Sequence, residues 1–299
     1  MRKRLLVTGG SGFVAGSVIL SALEEWEVHV LSRTEAAIER EHLVWHRCME
    51  MDEDGLHHAF HEVDPVGVIH TAAIADIDYS QANQETAKYV NAYLPGIVAE
   101  LCEDHGIRLV HLSTDNVFDG ERGLYKEDDP VNPINFYGRT KVMAEDAVKE
   151  AGGTYVIARV ALVMGLPVIG SGNSFLSRMM KSLDEGKDVT VPGNEIRSPI
   201  DVITLGRALV ELAGNDLRGF IHLSGSEVLN RYEMMQRIAT RLGHPVERIV
   251  QTDPSGIPGR APRPLDVSLD NALAQQKLRT PMLGLDDALT LILETAKGK

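Results

Sequence analysis

Tyr137 and Lys141 stand four residues apart, and 23 residues before the tyrosine lies Thr114, within Ser113-Thr114-Asp115-Asn116-Val117-Phe118-Asp119-Gly120. A free phenol titrates at about pH 10, too high for ready proton exchange at neutrality. A lysine ammonium one helical turn away stabilises the phenolate and lowers that value. The phenol then serves as general acid toward a carbonyl oxygen that receives hydride, or as base in the reverse direction. Thr114 adds a hydrogen bond to the same oxygen. Hydroxyl, phenol and amine together describe a site that moves hydride onto or off a carbon bearing oxygen.

Such a site needs a hydride carrier, and the start of the chain offers a cradle for one. Leu5-Leu6-Val7 runs into Thr8-Gly9-Gly10-Ser11-Gly12-Phe13-Val14, and Ala15 completes Gly10-x-Gly12-x-x-Ala15. This fits the dinucleotide fingerprint with alanine at its last position. Gly10 permits the tight turn and Gly12 lets a pyrophosphate approach the backbone, while the helix beyond supplies N–H donors and a favourable dipole. The next apolar strand ends at Leu31-Ser32-Arg33-Thr34. An NAD site usually carries an acid here, whereas an arginine accommodates a 2′-phosphate. Ser32 and Arg33 therefore favour NADP, with NAD still open. An arginine merely solvated in a loop would read the same way.

These groups must be carried by a scaffold, and the apolar pattern defines one. Val28 to Leu31, Val66 to His70, Leu109 to Leu112 and Tyr155 to Ala158 read as strands after Leu5-Leu6-Val7. Helical patterns at Phe13 to Leu23, at about Gln81 to His105 and at Asn135 to Ala151 separate them. Continuous apolar strands alternating with helices mean parallel β-α-β units covered on both faces. The expected fold is α/β, a doubly wound parallel (Rossmann) sheet.

After Arg159 the texture changes. Gly165-Leu166-Pro167 and Gly170-Ser171-Gly172-Asn173 interrupt the pattern. Beyond them, helices at Phe175 to Leu183, Leu205 to Ala213, Tyr232 to Leu242 and Leu285 to Thr295 mix with strands at Val189 to Val191 and Phe220 to Leu223. We expect a dinucleotide-binding domain over 1–160 and a smaller α+β substrate lobe over 161–299, with some chain crossing back. The Pro/Gly-rich segment Pro254 to Pro264 reads as a long loop of the kind that often carries function.

Composition excludes several other classes. With 299 residues, 43% hydrophobic and 24% charged, the chain is an ordinary globular one. Its formal charge of −13 and lack of a basic run argue against nucleic acid or an anionic membrane as partner. Cys48 and Cys102 have no metal or redox spacing and read as reduced thiols of a cytoplasmic protein. Met1-Arg2-Lys3-Arg4 followed by Leu5-Leu6-Val7 is too soon broken by glycine to be a signal peptide.

At these motifs the chain resembles the extended short-chain dehydrogenases/reductases, and within them the dTDP-4-dehydrorhamnose reductase-like branch. Thr8 to Val14 resembles the opening loop, and His70-Thr71-Ala72-Ala73 the fourth-strand motif. Ser113 to Gly120 is similar to the branch's Ser-Thr-Asp-Tyr-Val-Phe-Asp-Gly, and Pro133-x-x-x-Tyr137-Gly138-x-x-Lys141 with Glu145 to its catalytic helix. Arg159, Gly165, Arg263-Pro264 and Leu269-Asp270 fit further family segments. The resemblance implies Thr114, Tyr137 and Lys141 as the catalytic set, with Lys141 also holding the nicotinamide ribose. It implies Gly9, Gly10, Ser11, Gly12, Phe13, Val14, Ser32, Arg33, Asp52, Ala72, Ala73 and the structural Asn91 around the cofactor. Asp115, Asn116, Leu162 and Arg263 would face a nucleotide-sugar, Arg263 as a phosphate clamp; a loop-anchoring arginine fits its position equally.

The sequence departs from the branch where sugar would be touched. Asn116 replaces a tyrosine, Leu162 falls where a tryptophan is usual and Thr204 where an aspartate is common. A dehydratase would carry Asp-Glu after Thr114, and Asp115-Asn116 stands there instead. The alternatives implied by the resemblance are a nucleotide-sugar epimerase or a non-catalytic, NADP-binding regulatory subunit like the methionine adenosyltransferase β-subunit. Homodimers are common in the superfamily. His57, His58 and His61 read as a solvated helix face with no metal, Glu50 to Asp54 as a solvated turn, and Met179-Met180 and Met234-Met235 as core filler.

Overall fold

A computed structural model describes residues 2–48, 52–170, 174–253, 257 and 259–298. The start of the acidic run at Glu50, the Ser171-Gly172-Asn173 interruption and most of the segment from Pro254 to Pro258 lie outside the described residues.

Strand and helix alternate through the first half as its apolar runs require. β1 (Arg4–Thr8), α1 (Phe13–Ala22), β2 (Glu27–Ser32), β3 (Leu43–Arg47), α2 (Glu53–Val63) and β4 (Gly67–His70) come first. α3 (Ile77–Ala82), α4 (Gln84–Lys88) and α5 (Leu94–Asp104) precede β5 (Arg108–Thr114), α6 (Phe136–Ala151) and β6 (Tyr155–Val160). The second half begins with β7 (Val163–Met164), α7 (Phe175–Asp184), β8 (Val189–Pro192), β9 (Ile196–Arg197) and β10 (Ile200–Asp201). It continues with α8 (Val202–Gly214), β11 (Gly219–Leu223), β12 (Leu229–Asn230), α9 (Arg231–Arg241), β13 (Ile249–Thr252), α10 (Ala272–Lys277) and α11 (Leu285–Lys297).

Seven strands form one parallel sheet in the order β11-β6-β5-β4-β1-β2-β3. The chain winds outward from β1 to β3, then returns across β1 to β4 and onward. Between the carboxyl ends of β1 and β4 this reversal opens the crevice in which such sheets bind ligands. Leu5, Leu6 and Val7 are all fully buried, because α1 and α8 cover one face and α2 and α5 the other. The doubly wound sheet expected from the sequence is therefore the fold. α8 and β11 return from the second half to this sheet, and three two-stranded sheets (β10-β7, β12-β9, β13-β8) lie beside it. Met179, Met234 and Met235 fill the apolar core of this second half. Among the described residues no helix is long and apolar enough to cross a membrane.

Two elements differ from expectation. β3 is an element the apolar pattern does not announce: Leu43-Val44-Trp45 runs into His46-Arg47, and the strand lies at the sheet's edge, where none of its residues is fully buried. The single helix expected over about Gln81 to His105 is broken into α4, a π-helical turn at Tyr89–Tyr93 and α5, with α3 before them. Pro95 explains the π-turn: it has no N–H to give the carbonyl four residues back, so the preceding turn widens.

Candidate active site

The cradle begins where β1 meets α1. Gly9 adopts φ +75°, and a Cβ there would lie 2.7 Å from the Ala72 backbone. The left-handed residue of the turn is thus Gly9 rather than Gly10. At Gly10 a side chain is excluded by packing instead, since its Cβ would overlap Val30 of β2. Gly12 is the N-cap of α1 and offers no side-chain cap, which leaves first-turn N–H groups available to an anion. Ser11, Gly12, Phe13 and Val14 line a cavity of about 560 Å³ that reaches Thr114, Tyr137 and Lys141. A second cavity of about 530 Å³ shares Ser11, Gly12, Thr71 and Ala73 with it and extends to Ser32 and Arg33. The two adjoin along the carboxyl edge of the sheet, from the end of β2 to the end of β5. Unpaired helix N–H groups, a glycine cradle and an arginine at the far end fit a dinucleotide with a 2′-phosphate.

Thr114 ends β5 and caps the short 3₁₀ turn Asp115–Val117, accepting from the Asn116 N–H at 3.2 Å. Its hydroxyl donates to Asp115 Oδ1 at 3.1 Å. Tyr137 and Lys141 project from the first turns of α6, which Asn135 caps by accepting from the Gly138 N–H at 2.8 Å. Gly138 is needed because a Cβ would run into the Asn116 carbonyl. That close approach sets Tyr137 beside Thr114, and both line the same cavity. The structure thus joins the three residues that the sequence singled out.

Their electrostatics differ from the simple expectation. Burial pushes the Tyr137 phenol up to about 12; the Thr114 contact opposes the shift and the Asp115 charge adds to it. The Lys141 amine, 2% exposed, is pushed down to about 8 by burial, against the attraction of Glu145. Lys141 Nζ donates to the Leu112 carbonyl at 2.5 Å and lies 3.4 Å from His111 Nε2. The ammonium is held against β5, so burial outweighs any lowering of the phenol that the four-residue spacing alone implied.

Beneath this set runs a buried ion pair. Arg159 of β6 donates to both oxygens of Glu145 on α6, at 3.0 and 2.8 Å, and Ser113 Oγ donates to Glu145 Oε1 at 2.5 Å. The guanidinium lies 5.1 Å from the Phe118 ring and 4.3 Å from that of Phe220. This pair ties α6 to β5 and β6 and so fixes Tyr137 relative to Thr114. The sequence showed Glu145 and Arg159 only as family matches; no local spacing joins them.

Other expected site residues are more dispersed. Ala72 and Ala73 line the crevice, and Arg33 is exposed at its outer end, beside Ser32, whose hydroxyl is 3.0 Å from that of Thr34. Asn91 is structural: it bonds both the N–H and the carbonyl of Ile74, shaping the loop after β4. Asp52 caps α2 through the Gly55 N–H at 2.9 Å and lines neither cavity. Asp115, Asn116 and Leu162 neighbour lining residues without lining either cavity themselves, and Leu162 packs against the core of the second half. Arg263 is elsewhere. Its fork closes on Asp78 of α3 at 2.5 and 2.8 Å, at the edge of a third cavity of about 310 Å³. In that cavity Glu195 receives Arg260 at 2.8 Å, Arg231 at 3.0 Å and Arg197 at 3.4 Å. None of Asp78, Glu195, Arg197, Arg231 and Arg260 carries a motif that could have announced it. His58 of the histidine face lies 3.6 Å from Glu62, and among the described residues no group of three His, Cys, Asp or Glu is arranged for a metal.

A reversed strand order, a glycine cradle and an acid/base cluster at the sheet's carboxyl edge define a doubly wound α/β protein of the dinucleotide-binding type. The chain belongs to the family described as RmlD substrate binding domain, whose model matches residues 2–297. It is 28% identical over 292 residues to the dTDP-4-dehydrorhamnose reductase of Mycolicibacterium smegmatis, covering 97% of this chain and 84% of that one. It is 27% identical over 274 residues to methionine adenosyltransferase 2 subunit beta of Bos taurus, covering 90% and 80%. The crystal structure of dTDP-4-dehydrorhamnose reductase from Bacillus anthracis in complex with NADP superposes with a TM-score of 0.87 over 98% of this chain and 99% of that one, at 24% identity.

Proposed function

We propose that this protein is an NADP-dependent oxidoreductase that reduces the 4-keto group of a nucleotide-sugar. The observation that carries the reading is that Thr114, Tyr137 and Lys141 line the inner end of a crevice that starts at the glycine cradle. Family membership and the M. smegmatis relative support the same chemistry. The N–H groups of Ser11, Phe13 and Val14 would hold the cofactor pyrophosphate, Ser32 and Arg33 its 2′-phosphate, and Lys141 its nicotinamide ribose. When bound, the reduced nicotinamide supplies hydride. Tyr137 gives its proton to the substrate oxygen, and the raised phenol keeps that proton in place through neutral pH. Thr114 turns its single hydroxyl hydrogen from Asp115 to the same oxygen, and the buried Lys141 charge offsets the phenolate left behind. We assign the cofactor to residues 1–160 and the sugar nucleotide to 161–299, with α8 and β11 returning to the sheet.

Turnover of Tyr137→Phe tests this. NADPH oxidation with a dTDP-4-keto-6-deoxy sugar should fall about 10²- to 10⁴-fold while NADPH binding is kept; wild-type turnover in that variant would overturn the assignment. The similarity to the methionine adenosyltransferase subunit sustains a second reading, a regulatory NADP-binding subunit. A wild-type chain that binds NADPH, reduces no nucleotide-sugar and co-purifies with a synthetase would establish it.

A further inference from the structure

Lys141 is a lysine with almost no access to water, and such a charge persists only where the interior supplies acceptors. β5 supplies two, the Leu112 carbonyl at 2.5 Å and His111 Nε2 at 3.4 Å. An ammonium has three hydrogens, so two directed at the strand leave the third for the cavity that Lys141 lines. We propose that His111 is a positioning residue for Lys141: its neutral imidazole accepts one ammonium hydrogen and, with the Leu112 carbonyl, fixes the direction in which the amine meets cofactor and substrate. The proposal rests on the assignment of Lys141 to a reductase site.

His111 can accept because it is uncharged. It is completely buried, and burial, with Lys141 and His70 adding to it, holds the ring well below the usual imidazole range. Its proton therefore sits on Nδ1 and leaves Nε2 free to accept. The ring is oriented by stacking on His70 at 5.5 Å and 19°, its register partner on β4. His70 in turn contacts Thr8 Oγ1 through Nδ1 at 2.9 Å. Thr8 is the last residue of β1, directly before the glycine cradle. Thr8, His70, His111 and Lys141 thus form one buried row, from the loop that would hold the cofactor's phosphates to the amine that would hold its ribose.

The row carries a cost that packing alone does not explain. His111 Nδ1 and His70 Nε2 are buried with no hydrogen-bond partner among the described residues. An apolar ring at either position would fill the space without that penalty. The other ionisable groups around Lys141 lie on α6 or just after β5. Glu145 attracts the ammonium but is itself engaged by Arg159, Asp115 accepts from Thr114, and Tyr137 is a phenol kept protonated by burial. None of these replaces the acceptor that His111 provides on the sheet side.

The direct test is the titration of Lys141 in the full-length, cofactor-free protein labelled with ¹³C-lysine, its signal assigned by the loss seen in Lys141→Met. His111→Phe keeps a ring for the stack and removes the acceptor; His111→Gln returns an amide oxygen close to the place of Nε2. Loss of an acceptor disfavours the charged form, so Lys141 should titrate about one pH unit lower in His111→Phe and return to within about 0.3 unit in His111→Gln. The pH profile of kcat should move with it. A Lys141 titration that is unchanged or raised in His111→Phe would overturn the proposal, whatever that variant does to stability. Should the phenylalanine variant not fold, His111→Leu is read in the same way. Because the titration needs neither substrate nor turnover, it gives its answer even if Tyr137→Phe shows that the chain is not a reductase.

Discussion

The ion pair beneath Thr114 and the arginine cluster around Glu195 are both buried, yet they are built on different principles. Glu145 and Arg159 are 3% and 4% exposed and balanced one against one, with Ser113 completing the carboxylate. Glu195 is as deeply buried, but three guanidiniums touch its single carboxylate, and Arg263 borders the same cavity with its fork on Asp78. The Asp115 charge acts on Arg197 more strongly than that of Glu195 does, Asp266 acts more weakly, and Asp253 lines the same cavity. A balanced network satisfies itself and so can hold geometry. In the other, several guanidiniums share one carboxylate beside a cavity, an arrangement suited to the diphosphate of the proposed nucleotide-sugar.

The sharpest way to break this comparison is to remove one acid from each region. Glu145→Gln leaves the Arg159 charge uncompensated in the interior, and unfolding in urea should show a loss of about 3–5 kcal/mol. A loss below about 1 kcal/mol would mean that the pair does not hold α6 to the sheet. Acid probes the same region without mutation. Burial lowers His70 to about 3 and His222, beside Arg159, to about 4, from 6.5 in the unfolded chain. Between those values the unfolded state binds protons that the native state does not, so stability is complete above pH 6.5 and falls as the pH drops. Each histidine contributes about 1.4 kcal/mol per pH unit in that window. Glu195, held below the ordinary carboxylate value by its arginines against the opposing effect of burial, begins to lose its contribution only as the pH falls through 4.5. Urea midpoints that stay flat from pH 6.5 to 5 would contradict the histidine account.

Glu195→Gln should cost less, about 1–2 kcal/mol, because Arg231 and Arg260 are partly open to solvent and their repulsion is screened. Its signature is the response to anions. Pyrophosphate should raise the melting temperature of Glu195→Gln more than sodium chloride at equal ionic strength does. Equal responses to the two would deny the cluster a specific affinity for phosphate.

The two regions also differ in how far the sequence disclosed them. Thr114, Tyr137 and Lys141 lie on successive elements of one β-α-β unit, where short spacing fixes which face a side chain takes, and their types have chemistry of their own. β1, β4 and β5 were legible because both faces are covered and their apolar runs are unbroken, whereas β3 at the edge was not. Gly9 and Gly10 show a finer limit: sequence located the turn, but which glycine needs positive φ and which needs space against Val30 depends on β2. The Glu195 cluster depends on still longer connections. Arg231 reaches it through the antiparallel β9–β12 pairing, and Arg260 through a loop 65 residues beyond Glu195. Arg263 was visible as a cation; its partner Asp78, 185 residues away, was not.

That partner gives the smallest and most diagnostic effect. Asp78 takes both arms of Arg263 and the Ala261 N–H, and the Arg263 guanidinium holds its carboxyl below the usual carboxylate range. Its side chain is 46% exposed, so Asp78→Asn should cost only about 0.2–1 kcal/mol of stability. Its effect on binding separates two roles for Arg263. If Arg263 anchors the loop, the asparagine loosens residues 261–263, whose Pro262 carbonyl also receives Asn135 at the cap of α6, and calorimetry should show weaker binding of a nucleoside diphosphate. If Arg263 is a phosphate clamp, freeing its fork should tighten that binding severalfold. A tighter Asp78→Asn would join Arg263 to the arginines that share Glu195, and a weaker one would place it with the self-satisfied contacts that hold the catalytic helix.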